Sequence, residues 1–118
     1  SADMKAVRRA RAALQRGECL LIYPEGTRVK HDEDAELHSG YVIMAQLAKA
    51  PVQPTAVVGA RFLKFRSRVV MRCAEAIEWS DLSSSKRKEQ AAEMESRGMV
   101  AVFALRDELR ADYPELKE

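Results

Sequence analysis

The hydrophobic positions of this chain change period several times between its two ends. Met4, Val7, Ala10 and Leu14 recur at helical spacing with basic residues between them, which predicts a helix over 3–16. Asp3 is its expected N-cap and Gly17 its expected C-terminal stop. Cys19–Leu20–Leu21–Ile22–Tyr23 is a continuous apolar run, the pattern of a strand buried on both faces. Pro24 ends it, and the polar, irregular stretch from Glu25 to Leu37 reads as a loop. Ser39 caps a second helix through Val42, Ile43, Ala45, Gln46, Leu47 and Ala48 to Lys49, with Pro51 as its stop. Val52 to Val58 predicts a second strand, and Pro54 within it implies an edge position or a bulge. Arg68 to Cys73 predicts a third, with Val69 and Met71 on one face and Val70 on the other. After a polar link over 80–85, a helical pattern runs from Lys86 to about Ala111. Ala91, Met94, Val102, Leu105 and Leu109 form its apolar side, and Gly98 implies a kink or a break into two helices.

Helix, strand, helix, strand, strand, helix is an α/β order. Three strands are few for a covered sheet, and the first has no earlier strand to pair with. The expectation is that further strands upstream complete it.

With 118 residues, the chain suffices for one domain and one core. Hydrophobic residues at 47% and charged residues at 32% place it among globular sequences rather than disordered ones. A net charge of +2 is too small to argue for nucleic acid. The charge is unevenly placed, however. Lys5, Arg8, Arg9, Arg11 and Arg16 crowd the start, and Arg61, Lys64, Arg66, Arg68 and Arg72 form a second basic stretch. With Phe62 and Phe65, that second stretch reads either as a contact for anionic lipid heads or as an exposed ribbon with its apolar residues turned inward. Cys19 and Cys73 lie in apolar surroundings and read as buried free thiols of a reducing compartment. No Cys or His partners fall at zinc spacing, and His31 and His38 around the acidic cluster of Asp32, Glu33, Asp34 and Glu36 read as a solvated loop, so no metal site is expected. No apolar run approaches the ~20 residues needed to span a bilayer, and no apolar signal region follows the basic start. A cytoplasmic location, or one on the cytoplasmic face of a membrane, is the expectation.

The chemistry is concentrated in Pro24–Glu25–Gly26–Thr27–Arg28, directly after the apolar run. Ligands of open α/β sheets bind at the carboxyl ends of strands. Gly26 lets the backbone approach a ligand closely, and Arg28 offers a planar fork of donors suited to phosphate. Thr27 adds a hydroxyl donor. Glu25 cannot bind phosphate itself, but it can hold Arg28 or accept from a sugar-like hydroxyl. Together these residues describe a site for a small anionic polyol.

At this point the chain resembles the 1-acylglycerol-3-phosphate acyltransferases and related glycerolipid acyltransferases, whose third sequence block is an apolar strand ending in Phe-Pro-Glu-Gly-Thr-Arg. Tyr23 stands in place of the Phe, and Pro24 to Arg28 match. Gly40 matches the glycine that opens the family's next helix, and Leu47–Ala48–Lys49–Ala50–Pro51–Val52–Gln53–Pro54 looks like its fourth block. Arg68 to Arg72, leading to Ala76 and Ile77, is similar to the strand before the family's Gly-x-Pro-Ile-like turn, with Ala74 and Ala76 where Gly and Pro are usual. The family's catalytic pair, a His followed after four residues by an Asp, is missing. His31 meets Glu36 at that interval and His38 meets Ile43.

The resemblance implies that residues 1–118 are a single partial acyltransferase domain, the C-terminal portion of a glycerol-3-phosphate acyltransferase-like sheet with flanking helices. The catalytic part would lie upstream. It implies an acceptor phosphate site at Glu25, Gly26, Thr27 and Arg28, no catalytic residue within the chain, and no bound cofactor. The acyl donor would be acyl-CoA or acyl-carrier protein as co-substrate, the partners a lysophospholipid acceptor and a membrane surface. A non-catalytic anion- or lipid-binding module of the same fold is the rival expectation.

Overall fold

The computed structural model describes residues 2–23, 40–60 and 63–116, with side chains from Met4 onward. Three helices and two strands order as α1 (Ala2–Gln15), α2 (Gly40–Ala48), β1 (Thr55–Val58), β2 (Val70–Cys73) and α3 (Arg87–Asp112), with a 3-10 turn at Trp79–Asp81 before α3.

α1 begins at Ala2, so Asp3 lies inside the helix rather than capping it. Its other end follows the sequence closely. Gly17 takes φ +84, and its N–H reaches the Leu14 carbonyl at 3.0 Å while that of Glu18 reaches Ala13 at 3.1 Å. This is the left-handed cap that satisfies the last carbonyls of a helix. α2 ends in the same way but without a glycine. Lys49 sits at φ 56, its N–H bonds Gln46 at 3.1 Å and that of Ala50 bonds Ala45 at 2.9 Å. The helix therefore stops before Pro51, which only prevents it from resuming.

β1 and β2 pair antiparallel, with Thr55 opposite Cys73 and Val58 opposite Val70. Val52 and Ile77 extend the ladder as an isolated bridge. Pro54 lies just before β1, where it needs no ladder donor and where its carbonyl accepts from Ala74 at 2.9 Å. Alternation along the strands sends Ala56, Val58 and Val70 towards α3, where they pack with Leu105 and Leu109. α3 is continuous over 26 residues, about 39 Å of helix, and Gly98 does not break it. Its second half covers the sheet, and its first half, through Met94, lies beside α2, whose Val42 and Ala45 are buried. Gln46 of α2 donates to the Arg87 carbonyl at 2.8 Å, and Trp79 Nε1 donates to the Ala50 carbonyl at 2.7 Å. The indole thus ties the 3-10 turn to the end of α2.

Two expectations are corrected. Cys19–Tyr23 forms no strand, and Leu21 and Tyr23 are 71% and 66% exposed. A strand is buried on both faces only when neighbours pair with it, and the described strands pair with each other alone. Both cysteines are also exposed rather than buried. Cys19 belongs to that unpaired segment, and Cys73 lies on the face of β2 turned away from α3.

Candidate functional site

Glu25, Gly26, Thr27 and Arg28 lie outside the described residues, as do His31, His38 and Ser39. The structure does describe the surroundings of the segment that carries them. The chain enters it from Tyr23 and leaves it into Gly40 and Tyr41, and both tyrosines line one cavity of about 250 Å3.

Five parts of the chain build that cavity. Leu14 at the end of α1 and the apolar run Leu20–Tyr23 form one wall, and Tyr41 and Met44 of α2 form the next. Pro51 to Thr55, the sheet residues Val57 and Met71, and Gly98, Met99 and Val102 of α3 complete it. Apolar side chains dominate, which suits an aliphatic ligand better than a charged one. The exposed run Leu20–Tyr23 is therefore not idle surface, since it forms part of the wall.

Gly98 of α3 faces Tyr41 and Val52 across the seam between α3 and α2. A Cβ there would meet the Tyr41 hydroxyl at 3.5 Å and Val52 Cγ1 at 4.0 Å, so the bare backbone leaves room beside the phenol. Burial, assisted by the Glu95 carboxylate, raises the pKa of Tyr41 above its ordinary value of 10.0. The phenol is thus a neutral hydroxyl at physiological pH, a polar group in a mostly apolar wall. Sequence reasoning missed this cavity. Its one local signal was Gly98, a glycine inside a helical pattern, which can mark a packing site as well as a kink.

A family model described as Acyltransferase matches residues 1–58, which include the apolar run, the Pro24–Arg28 motif and α2. The chain belongs to the acyltransferase family. It is similar to the 1-acyl-sn-glycerol-3-phosphate acyltransferase of Bacillus subtilis (strain 168), at 33% identity over 84 residues, which is 69% of this chain and 41% of that protein. The chain thus spans about two fifths of the length of the curated relative it matches. No solved structure matches it. Among the described residues no helix is long and apolar enough to cross a membrane.

Proposed function

We propose that this chain is the acceptor-binding part of an acyltransferase of phospholipid synthesis. The enzyme would move a fatty acyl group from acyl-CoA or acyl-carrier protein to the hydroxyl of 1-acylglycerol-3-phosphate. The observation that carries this reading is the adjacency of two features. Pro24–Glu25–Gly26–Thr27–Arg28 follows immediately on Tyr23 in the chain, and Leu20–Tyr23 is a wall of the apolar cavity. A phosphate-suited motif next to an aliphatic-suited cavity matches an acceptor with a phosphate head and one acyl chain. The cavity's 250 Å3 lies just below the ~300–1,000 Å3 of whole-ligand sites, appropriate to part of a substrate.

In this reading Arg28 pairs with the acceptor phosphate, Thr27 donates to it, Gly26 admits it to the backbone, and Glu25 fixes Arg28. Their contribution is to position the acceptor hydroxyl. The chemical step needs a base paired with an orienting acid, which the resemblance assigns to a His-x4-Asp pair that this sequence lacks. There the base takes the hydroxyl proton, the hydroxyl oxygen attacks the thioester carbonyl, and the C–S bond breaks to release the thiol with that proton. The reaction takes place on the cytoplasmic side of a membrane, and the sheet is completed by strands outside this chain. No metal or bound cofactor is needed.

The test is calorimetric titration of the chain with lysophosphatidic acid, and with monoacylglycerol as the phosphate-free analogue. Arg28→Ala weakens lysophosphatidic acid binding about tenfold to a hundredfold, the value of a charge-assisted hydrogen bond, and leaves monoacylglycerol binding alone. The chain itself turns over no acyl-CoA. Equal binding of both ligands by the parent and by Arg28→Ala overturns the acceptor assignment. Turnover by the chain shows that another residue here replaces the missing base.

A further inference from the structure

The connection between β1 and β2 ends in a built turn that displays an aromatic ring to solvent. The Lys64 carbonyl accepts from the Ser67 N–H at 2.9 Å, and the Lys64 N–H donates to Ser67 Oγ at 2.6 Å. These two bonds close the turn Lys64–Phe65–Arg66–Ser67. Phe65 is 92% exposed, Leu63 on the approach is 63% exposed, and every residue from Leu63 to Val69 is exposed. An aromatic ring left in water by an ordered turn forgoes the stabilisation it would gain on burial. Arg66 takes φ +64, at the third turn position where glycine is the usual occupant of the left-handed region. The chain accepts that conformation while carrying a guanidinium, placed 5.5 Å from the centroid of the Phe65 ring.

Charge gives the tip a direction. Arg68 at its base is held by the residues that follow α3, 4.9 Å over the Tyr113 ring and 3.9 Å from the Glu115 carboxylate. Lys64 and Arg66 make no ion pair with any described residue. Two cations without acidic partners among the described residues thus flank an exposed Phe and Leu, a pattern complementary to an anionic lipid surface, where rings sit among the headgroup and acyl boundary and cations meet phosphates. The outward face continues from the tip along β2. Val69 and Met71 are exposed on one side of the strand, as is Val57 opposite Met71. Met71 and Val57 also line the cavity, so apolar surface runs from the tip to the cavity wall.

We infer that the Leu63–Ser67 turn is a membrane-docking tip. Phe65 and Leu63 enter the interface of an anionic bilayer, Lys64 and Arg66 bind its headgroups, and the cavity is held next to the lipid. This assignment is independent of the acceptor reading and of any acyl transfer.

The test is co-sedimentation of the chain with vesicles of phosphatidylcholine and phosphatidylglycerol in roughly equal parts, and with phosphatidylcholine alone. The parent chain binds the anionic vesicles, and added salt weakens the binding. Lys64→Gln and Arg66→Gln each lower the partition coefficient about fivefold, and Phe65→Ser lowers it about tenfold. None of these side chains packs in the core, so the thermal melts of the variants stay unchanged. Neutralising Lys5, Arg8 and Arg9 on α1 leaves the partition within about twofold. In Phe65→Trp, vesicles shift the added emission to the blue, whereas Trp79, bonded to Ala50, supplies a constant background. Binding that survives Phe65→Ser and the Lys64 and Arg66 variants overturns the proposal. So does binding lost through the α1 variant, or an unshifted Trp emission.

Discussion

Two glycines make opposed demands on the structure, and exchanging each for alanine tests the packing argued above. Gly98 lies inside α3 and has no positive φ. Its new methyl would sit 3.5 Å from the Tyr41 hydroxyl and 4.0 Å from Val52 Cγ1, ordinary van der Waals contacts. In a helix interior alanine is favoured over glycine by about 1 kcal/mol. Contact with a neutral phenol takes back little of that. For a domain of this size, 1 kcal/mol moves Tm by roughly 3–6 °C, so Gly98→Ala raises it by about that amount. Gly59 is the reverse. It holds φ +90, and its Cβ would lie 2.3 Å from the backbone carbonyl oxygen of Arg68. The left-handed conformation alone costs an L-residue about 1–2 kcal/mol. The clash adds to this because a strand-entry carbonyl, unlike a side chain, cannot turn aside. Gly59→Ala should therefore lose at least about 2 kcal/mol and lower Tm by roughly 6 °C or more. Thermal unfolding followed by far-UV circular dichroism measures both, with reversibility checked so that one transition can be assumed. A lowered Tm for Gly98→Ala would refute the open seam between α2 and α3. A neutral Gly59→Ala would refute the tight exit from β1.

Tyr41 provides a pH signature. Folding raises its pKa above 10.0, so the folded state holds the phenol proton more tightly than the unfolded chain. The stability this contributes is fully present below pH 10.0 and is lost as pH rises through the folded pKa. Urea melts at neutral and strongly alkaline pH should show a steeper alkaline loss for the parent than for Tyr41→Phe, and equal losses would remove the phenol from the buried wall. Trp79→Phe keeps an aromatic side chain, though a smaller one, and deletes the bond to the Ala50 carbonyl, a loss of at least about 1–2 kcal/mol. An unchanged urea midpoint for that variant would show that the bond does not tie the 3-10 turn to α2.

Local chemistry in the sequence determined much of the molecule. The period of Met94, Leu105 and Leu109 placed α3 and its buried side, and alternation at Val69, Val70 and Met71 assigned the faces of β2, because both patterns answer only to a nearby backbone geometry. Gly17 as the stop of α1 was legible for the same reason. The motif at Pro24–Arg28 was legible too, as it is a run of adjacent residues, and it led to the family that the comparisons show. Burial of Cys19–Tyr23 was not legible, because an apolar run states a preference and its neighbours decide whether that preference is met. Here Leu20 to Tyr23 line a cavity instead of pairing in a sheet. Nor could the sequence show that Gly98, Tyr41 and Val52 meet. They are brought together by α2 docking on α3, and contacts between distant residues exist only once tertiary packing has chosen which faces touch.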